Sequence, residues 1–164
     1  MQDIFIVGVG MTPFGRHMDK TVKQLTSWAV NDALADCGGN VGQFDVAFFG
    51  NTVQGYMEGQ IYIPGQIALL PIGFGGVPIH NVENACATAS AAFHLAVAQL
   101  RAGMADVALA VGVEKMRALK TPIDEMGAAR EQWDDGNNFL AVSPGVIFGY
   151  ERNTTTNTFL RRNG

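Results

Sequence analysis

Residues 84–92 read NACATASAA and open the clearest helix of the chain, which is predicted over residues 86–102. The segment is apolar nearly all round and is followed by Gly103, so the pattern predicts a buried helix. If Asn84 is the N-cap, Cys86 lies in the first turn, among unpaired backbone amides at the positive end of the helix dipole. Both features favour the thiolate, which is the nucleophilic form of cysteine. Spacing alone leaves two interpretations open, an inert buried cysteine and a nucleophile.

Short apolar runs alternate with helices on either side of this segment. Strands are predicted over residues 3–9, 45–50, 77–83 and 106–112, helices over 22–37 and 64–70, and a loop over 51–63. This alternation predicts an α/β fold with a mixed, mainly parallel sheet and right-handed crossovers. The strand before Cys86 is expected to deliver it to the carboxyl edge of the sheet, where sites in open α/β sheets lie.

The composition describes a compact globular chain and excludes several classes of protein. The 164 residues are 48% apolar and 16% charged, with a net charge of −4 and scattered Lys and Arg, so no nucleic-acid-binding face is expected. The longest apolar stretch, 61–79, is broken by Pro and Gly, and it is not predicted to span a membrane. Residues 1–10 lack the features of a signal peptide, and a reducing cytoplasmic location is expected.

Cysteine and histidine spacing gives neither a disulfide framework nor a metal site. Cys37 is predicted at the C-terminus of a helix, where the dipole disfavours the thiolate, so it is expected to be unreactive. His94 lies eight residues beyond Cys86, about 12 Å along the helix axis. His80 is expected to pack or to contact a partner, and His17 to be solvated. Because no histidine is a convincing local base, a nucleophilic Cys86 would lack its partner.

Gly8, Gly10 and Gly15 follow the first predicted strand and faintly suggest a dinucleotide-binding loop. The third glycine position of that motif is Pro13, and no helix is predicted to begin there. The spacing therefore does not favour NAD binding.

Four stretches in order give the sequence a family resemblance. They are IVGVGMTPFGR at 6–16, NACATASAA at 84–92, DVALAVGVEKM at 106–116 and SPGVIFG at 143–149. Over residues 3–150 the chain resembles the N-terminal half of the thiolase superfamily, most closely the sterol-carrier-protein-type, or lipid-transfer, thiolases. Their fold pairs two βαβαβαββ halves in five layers.

The resemblance implies a domain organisation and a set of partners. Residues 1–114 would be the thiolase N-terminal core, and 115–150 the start of a loop domain that helps to bind coenzyme A. Residues 151–164 no longer resemble the family, and their composition predicts a disordered tail. The resemblance makes strand 77–83 a candidate dimer edge, so a homo-oligomer or a complementary C-terminal-half chain is expected.

The resemblance also implies a reaction. Cys86 falls on the cysteine that accepts the acyl group of a 3-oxoacyl-CoA, with coenzyme A as co-substrate, no covalently bound cofactor and no metal. Its backbone amide would donate to the oxyanion. The family's other catalytic groups, among them a histidine in a G-H-P motif, lie in the C-terminal half and match no residue here. Ala89 replaces a family glycine and is expected to narrow the acyl pocket.

Two alternatives to an incomplete acyl-CoA acyltransferase remain. The chain is either a non-catalytic truncated product or acyl- or lipid-binding subunit, or a thiolase-fold lyase. The lyase would carry out retro-aldol cleavage of CoA-linked steroid side chains without relying on Cys86.

Overall fold

The computed structural model describes residues 3–115, 140–143 and 146–148. The chain forms two compact units, Met1–Met116 and Arg117–Gly164. The first unit is built on three parallel strands, β1 (Val46–Gly50), β2 (Ile79–Val82) and β3 (Ala108–Gly112), in the order β2-β1-β3. Helices separate the strands along the chain, so the α/β class with a mainly parallel sheet is confirmed.

The central strand β1 supplies the core on both faces of the sheet. All five of its residues are buried, as expected for a strand with a neighbour on each side. Ala47 and Phe49 join one cluster with residues of the first and third helices, whereas Val46 and Phe48 join a second cluster with alanines of the last helix. Helices therefore cover both faces of the sheet.

The helix predicted over 22–37 is α1 (Val22–Cys37), and both of its ends are specified locally. Thr21 Oγ1 accepts a hydrogen bond from the Gln24 amide at 3.2 Å, and the Gln24 side chain accepts one from the Thr21 amide at 2.8 Å. This reciprocal capping box satisfies two amides at the start of the helix. Gly38 ends the helix in the left-handed conformation, with φ 66°, as its position predicted.

The region between β1 and β2 holds more helix than the sequence predicted. Part of the predicted loop 51–63 forms a short helix, α2 (Gln54–Glu58), whose five residues are too few to show a period. Pro64 starts α3 (Pro64–Leu69), as predicted, and a 3₁₀ turn over Leu70–Ile72 follows.

The helix predicted over residues 86–102 is confirmed in position, but it is less buried than predicted. A 3₁₀ turn, Ala85–Ala87, leads into α4 (Thr88–Arg101). Ala92 and Ala96 face the sheet and are buried, yet Phe93 and Leu95 are each 47% exposed. An apolar pattern shows which side chains a helix could bury. Here the described residues pack against only one face of α4, so the other face stays exposed.

The predicted buried strand at residues 3–9 is wrong. The segment has no strand partner in the described part of the chain, and the Phe5 side chain is 77% exposed. The segment instead lies beside α1, where the Val9 and Met11 amides donate to the carboxylates of Asp36 and Asp32 at 3.0 and 3.2 Å. Helix carboxylates thus take the hydrogen bonds that a neighbouring strand would have provided.

Close packing against α1 accounts for two of the three N-terminal glycines. A Cβ at Gly8 would lie 2.6 Å from the Ala33 carbonyl oxygen, and one at Gly10 would lie 2.2 Å from that of Ala29. These contacts leave no room for a side chain. The glycines therefore allow close approach to a helix.

The second unit contributes a β-hairpin of β4 (Leu140–Ser143) and β5 (Val146–Phe148). The strands are antiparallel, with Leu140 opposite Phe148 and an irregularity between Ala141 and Ser143. Most of the predicted loop-domain region, 115–150, and all of the predicted disordered tail, 151–164, lie outside the described residues. No helix in the described part of the chain is long and apolar enough to cross a membrane.

Candidate functional site

The carboxyl ends of the three parallel strands meet around Cys86. Asn51 and Thr52 follow β1, Glu83 and Asn84 follow β2, and Glu114 follows β3 by two residues. Cys86 lies on the 3₁₀ turn between β2 and α4 and is exposed as a free thiol. The structure thus places this cysteine at the edge of the sheet where α/β proteins build their sites.

The turn that carries Cys86 has Asn84 at its N-cap position, but its stabilising side chain comes from Thr88. The Asn84 side chain makes no capping hydrogen bond. Thr88 Oγ1 instead accepts from the Asn84 amide at 2.8 Å and donates to the Ala85 carbonyl at 2.7 Å. Ala85 has φ 45°, and this left-handed conformation costs an L-residue roughly 1–2 kcal/mol. Asn84 therefore occupies the N-cap position of the turn, as supposed from the sequence, but its side chain does not cap it.

The backbone amides around the thiol fall into two groups. The Ala85 amide donates to the Glu83 carboxylate at 2.8 Å, and the Ala87 amide donates to the Asn84 carbonyl at 2.9 Å. No acceptor for the Cys86 amide is found among residues 3–115. That amide is therefore available to an oxygen of a ligand bound beside the sulfur.

Thr52 ties the Cys86 turn to the end of β1. Its hydroxyl lies 3.0 Å from Thr88 Oγ1 and 3.3 Å from the Ala85 carbonyl oxygen. The Glu114 carboxylate accepts from the Thr52 amide at 2.9 Å and the Val53 amide at 3.3 Å. A carboxylate from the β3 loop thereby holds the β1 loop beside the cysteine turn.

Asn51 joins the ends of β1 and β3 beneath this layer. The side chain is buried; its Nδ2 donates to the Val113 carbonyl at 2.7 Å, and its Oδ1 accepts from the Gln54 amide at 2.8 Å. We use the term edge network for the set of Asn51, Thr52, Glu83, Thr88 and Glu114. Its hydrogen bonds satisfy the backbone at all three strand ends.

Two strand-terminal glycines bring the start of α4 close to the sheet. A Cβ at Gly50 would lie 2.9 Å from Thr88 Cγ2, and one at Gly112 would lie 2.8 Å from the Ala89 Cβ. The methyl group of Ala89, the residue that departs from the family pattern, thus lies where Gly112 has no side chain. The expected narrowing of an acyl pocket stays a prediction.

The three histidines lie on three different parts of the fold: His80 on β2, His17 in the loop before α1, and His94 on α4. The His80 ring stacks on Phe48, with centroids 5.0 Å apart and an interplanar angle of 18°. The His17 ring nitrogen Nε2 lies 2.8 Å from the Pro13 carbonyl oxygen, and His94 is exposed on α4. Packing thus accounts for His80, and the hydrogen bond of His17 is to its own loop.

Cys37 is the last residue of α1, as predicted. Cys37 is an exposed free thiol whose Sγ lies 3.5 Å from the Leu34 carbonyl oxygen in the last turn of α1. In the described ranges no three His, Cys, Asp or Glu side chains are grouped so as to hold a metal ion. Whether Cys37 is unreactive stays a prediction.

A carboxylate also holds the opposite edge of the sheet, where the amino ends of β1 and β3 meet. The Asp45 carboxylate accepts hydrogen bonds from the Val107 amide at 2.9 Å and the Asp106 amide at 2.8 Å. These bonds favour the charged form and lower the pKa of Asp45 below its ordinary value of 3.8. This carboxylate joins the amino ends of β1 and β3, so its role is structural.

Sequence reasoning predicted the position of Cys86 at the sheet edge but missed the edge network. One usable signal was the polar pair that follows the predicted strand 45–50, Asn51 and Thr52. Thr88 was a second signal, because a hydroxyl in the first turn of a helix competes for backbone groups. The bonds that join the different loops span 33 to 62 residues in sequence, so spacing did not reveal them.

Comparison with protein families gives one match over most of the chain. The model of the thiolase N-terminal domain matches residues 4–141. Among solved structures, 3-oxoacyl-[acyl-carrier-protein] synthase III from Aquifex aeolicus VF5 is similar, with a TM-score of 0.53 and 20% identity over 59% of this chain. The priming β-ketosynthase of the R1128 polyketide biosynthetic pathway has a TM-score of 0.53 and 19% identity over 65% of this chain. At these identities the likeness supports the fold alone.

Comparison with curated proteins gives short matches of a different kind. An arginine deiminase of Mycobacterium avium (strain 104) is 54% identical over 57 residues, and one of Rhodococcus erythropolis (strain PR4 / NBRC 100887) is 54% identical over 55. These matches cover 35% and 34% of this chain and 14% of each relative. The chain spans 30% and 31% of the two synthase structures. Similarity to each whole protein is therefore partial.

Proposed function

Because the chain belongs to the thiolase N-terminal domain family, we propose that it carries the nucleophile of acyl transfer on 3-oxoacyl-CoA thioesters. Cys86 is the proposed acyl acceptor. The observation that carries the proposal is an exposed thiol at the carboxyl edge of the sheet, next to a backbone amide without a protein acceptor in the described region. A nucleophile and an oxyanion donor are what acyl transfer requires at one position.

The proposed reaction has two steps. The Cys86 thiolate attacks the 3-oxo carbon, and the Cys86 amide donates to the oxyanion that forms. The bond between C2 and C3 then breaks, its electron pair passes to C2, and protonation of C2 releases acetyl-CoA. The thiolate of a second coenzyme A attacks the acyl-cysteine thioester and restores the Cys86 thiolate. Coenzyme A is thus a co-substrate, and the steps involve no covalently bound cofactor.

The proton transfers are assigned to a partner. No residue of the sequence matches the G-H-P motif, so we propose that a complementary C-terminal-half chain supplies the histidine. The outer edge of β2 is unpaired within the described residues and is the proposed contact for that chain or for a second copy. This arrangement is consistent with the exposure of Phe93 and Leu95 on α4.

The branch of the family and the substrate class are proposed from the sequence motifs. NACATASAA and DVALAVGVEKM favour the sterol-carrier-protein-type branch, and we propose that the substrates are lipid-derived acyl-CoA thioesters. We place the reaction in the cytoplasm, where reducing conditions keep thiols such as Cys37 and Cys86 free.

Thiolysis of acetoacetyl-CoA by coenzyme A tests this function. The chain is assayed alone and with a thiolase C-terminal-half chain that contains the G-H-P motif, next to Cys86→Ala and Cys37→Ala variants. We expect turnover with the complementary chain, loss of at least about 10³-fold in Cys86→Ala, and less than about twofold change in Cys37→Ala.

The remaining outcomes separate the alternatives. Binding of acyl-CoA without turnover in any mixture would favour a non-catalytic acyl- or lipid-binding subunit. Cleavage of a steroid-CoA side chain that survives Cys86→Ala would favour the retro-aldol lyase. Either result would reject the acyl transfer proposed for this cysteine.

A further inference from the structure

The peptide between Ala85 and Cys86 links a strained residue to the proposed oxyanion donor. Ala85 has φ 45°, a left-handed conformation that alanine rarely adopts without outside support. The Ala85 carbonyl and the Cys86 amide belong to one planar trans peptide, so their directions are opposed. Whatever fixes the Ala85 carbonyl therefore also fixes the direction of the Cys86 N–H.

Two threonine hydroxyls lie at that carbonyl, which also accepts the Thr88 backbone amide of the 3₁₀ turn. The amide bond is kept in any Thr88 variant, so only the hydroxyl contribution is at issue. Thr88 Oγ1 is 2.7 Å from the Ala85 oxygen and Thr52 Oγ1 is 3.3 Å from it, while the two hydroxyl oxygens are 3.0 Å apart. Each hydroxyl has a single proton to donate. The two shorter distances are accommodated if Thr52 donates to Thr88 and Thr88 donates to Ala85. Thr52 then supports Thr88 and does not itself donate to the carbonyl. The Asn84 amide then donates to the second acceptor position of Thr88, at 2.8 Å.

The Thr88 side chain is itself held in place. It is buried, and its methyl group packs against Gly50, where a Cβ would come within 2.9 Å of Thr88 Cγ2. The Glu114 carboxylate accepts from the Thr52 amide and holds the second threonine. The hydroxyl therefore meets the Ala85 carbonyl from a position fixed by the ends of both β1 and β3.

We propose that Thr88, supported by Thr52, is a positioning residue that fixes the Ala85–Cys86 peptide so that the Cys86 amide faces the acyl oxygen. The proposal rests on the acyl-transfer function of Cys86. Thr88 does not contact the substrate and acts through the peptide plane alone. Its hydroxyl is thus required for acyl transfer, whereas alkylation of the thiol, which forms no oxyanion, does not require it.

Thr88→Val and Thr88→Ser form a matched pair for the test. Valine keeps the shape and the methyl contact with Gly50 but removes the hydroxyl, whereas serine keeps the hydroxyl. Acylation of Cys86 by acetoacetyl-CoA is measured in a single turnover with the complementary C-terminal-half chain. Alkylation by iodoacetamide is measured on the chain itself as the ratio of Cys86 to Cys37.

We expect Thr88→Val to slow acylation at least about tenfold, less than the roughly 10²–10³-fold lost with a whole oxyanion donor. The alkylation ratio should stay within about twofold of the parent value, and Thr88→Ser should restore acylation. A parallel loss of acylation and alkylation, or acylation by Thr88→Val within about threefold of parent, would overturn the proposal. If Thr88→Val does not fold, Thr52→Val takes its place, with a smaller loss expected in the same direction.

A spectroscopic readout separates this proposal from the proposed function. The ¹³C shift of the Ala85 carbonyl in the free chain should move in Thr88→Val and return in Thr88→Ser, because the shift reports the hydroxyl bond directly. An unmoved shift would reject the positioning role even if Cys86 is acylated. If the shift moves in Thr88→Val but the parent chain is never acylated at Cys86, acyl transfer is rejected and the hydroxyl has a structural role only.

Discussion

The carboxyl edge of the sheet and the N-terminal segment, residues 3–11, both approach a helix closely at glycines, yet they are held differently. At the sheet edge, polar side chains from three loops hydrogen-bond to the backbone at the three strand ends and to one another. Among residues 3–115 the N-terminal segment has only the Asp32 and Asp36 carboxylates as hydrogen-bond acceptors, and its large apolar side chains stay exposed. The difference shows that an apolar pattern indicates which side chains could be buried. Whether they are buried depends on the elements that pack against the segment.

The largest contrast is expected from one phenylalanine in each region. Phe49 on β1 is 0% exposed, so Phe49→Ala should lower the free energy of unfolding by about 3–5 kcal/mol. Phe5→Ala should change it by less than about 0.5 kcal/mol, because that ring is mostly in water. Urea unfolding measures both. A cost at Phe5 equal to that at Phe49 would mean that residues 3–11 belong to the core.

A second contrast concerns hydrogen bonds at the sheet edge. Asn51→Ala leaves the partly buried Val113 carbonyl and the buried Gln54 amide without their partners, and we expect a loss of about 1–3 kcal/mol. Asn31→Ala on the exposed face of α1 is the control and should cost less than about 0.5 kcal/mol. Equal urea midpoints for the two variants would show that Asn51 does not join β1 to β3.

A smaller effect should come from the N-terminal segment itself. Gly10→Ala places a methyl 2.2 Å from the Ala29 carbonyl oxygen, so the segment must move off α1, at a cost of about 1 kcal/mol. Amide hydrogen exchange at Val9 and Met11 should then accelerate about fivefold. Gly15→Ala is the control, since its Cβ would have its nearest neighbour at 3.7 Å. Unchanged exchange in Gly10→Ala would contradict the packing on α1.

The smallest effect concerns pH and the opposite edge of the sheet. The pKa of Asp45 is lowered by the Val107 and Asp106 amides, so its stabilisation is present above 3.8 and is lost as pH falls through the lower folded value. The parent should therefore have a higher Tm than Asp45→Asn at neutral pH, and the difference should shrink below pH 3.8. A difference that grows as pH falls would reverse the assigned sign.

Local patterns predicted the elements whose causes are local. Thr21 and Gly38 mark the ends of α1, and residues 46–50 show the apolar run of a central strand. Residues 3–9 have the same composition as a strand, but a strand also needs a neighbour to accept its hydrogen bonds. The pattern cannot supply that neighbour, so the strand prediction failed there.

The candidate site was predictable to the level of one residue. The position of Cys86 after a strand and before a helix, together with the flanking motif, placed it at the sheet edge. The edge network depends on contacts such as Asn51 to Val113 and Thr52 to Glu114, 62 residues apart in each case. Such contacts depend on strand order, which a single sequence does not encode locally.

The most direct test of the central claim, that Cys86 accepts an acyl group, is to map that group after a quench. The chain and the complementary C-terminal-half chain are mixed with acetoacetyl-CoA, and the reaction is quenched in acid. The protein is then digested, and the masses of the Cys86 and Cys37 peptides are measured by mass spectrometry. We predict one acetyl group on the Cys86 peptide, none on the Cys37 peptide, and none in Cys86→Ala. Acetyl on Cys37 alone, or an unmodified Cys86 peptide while acetoacetyl-CoA is consumed, would contradict the claim.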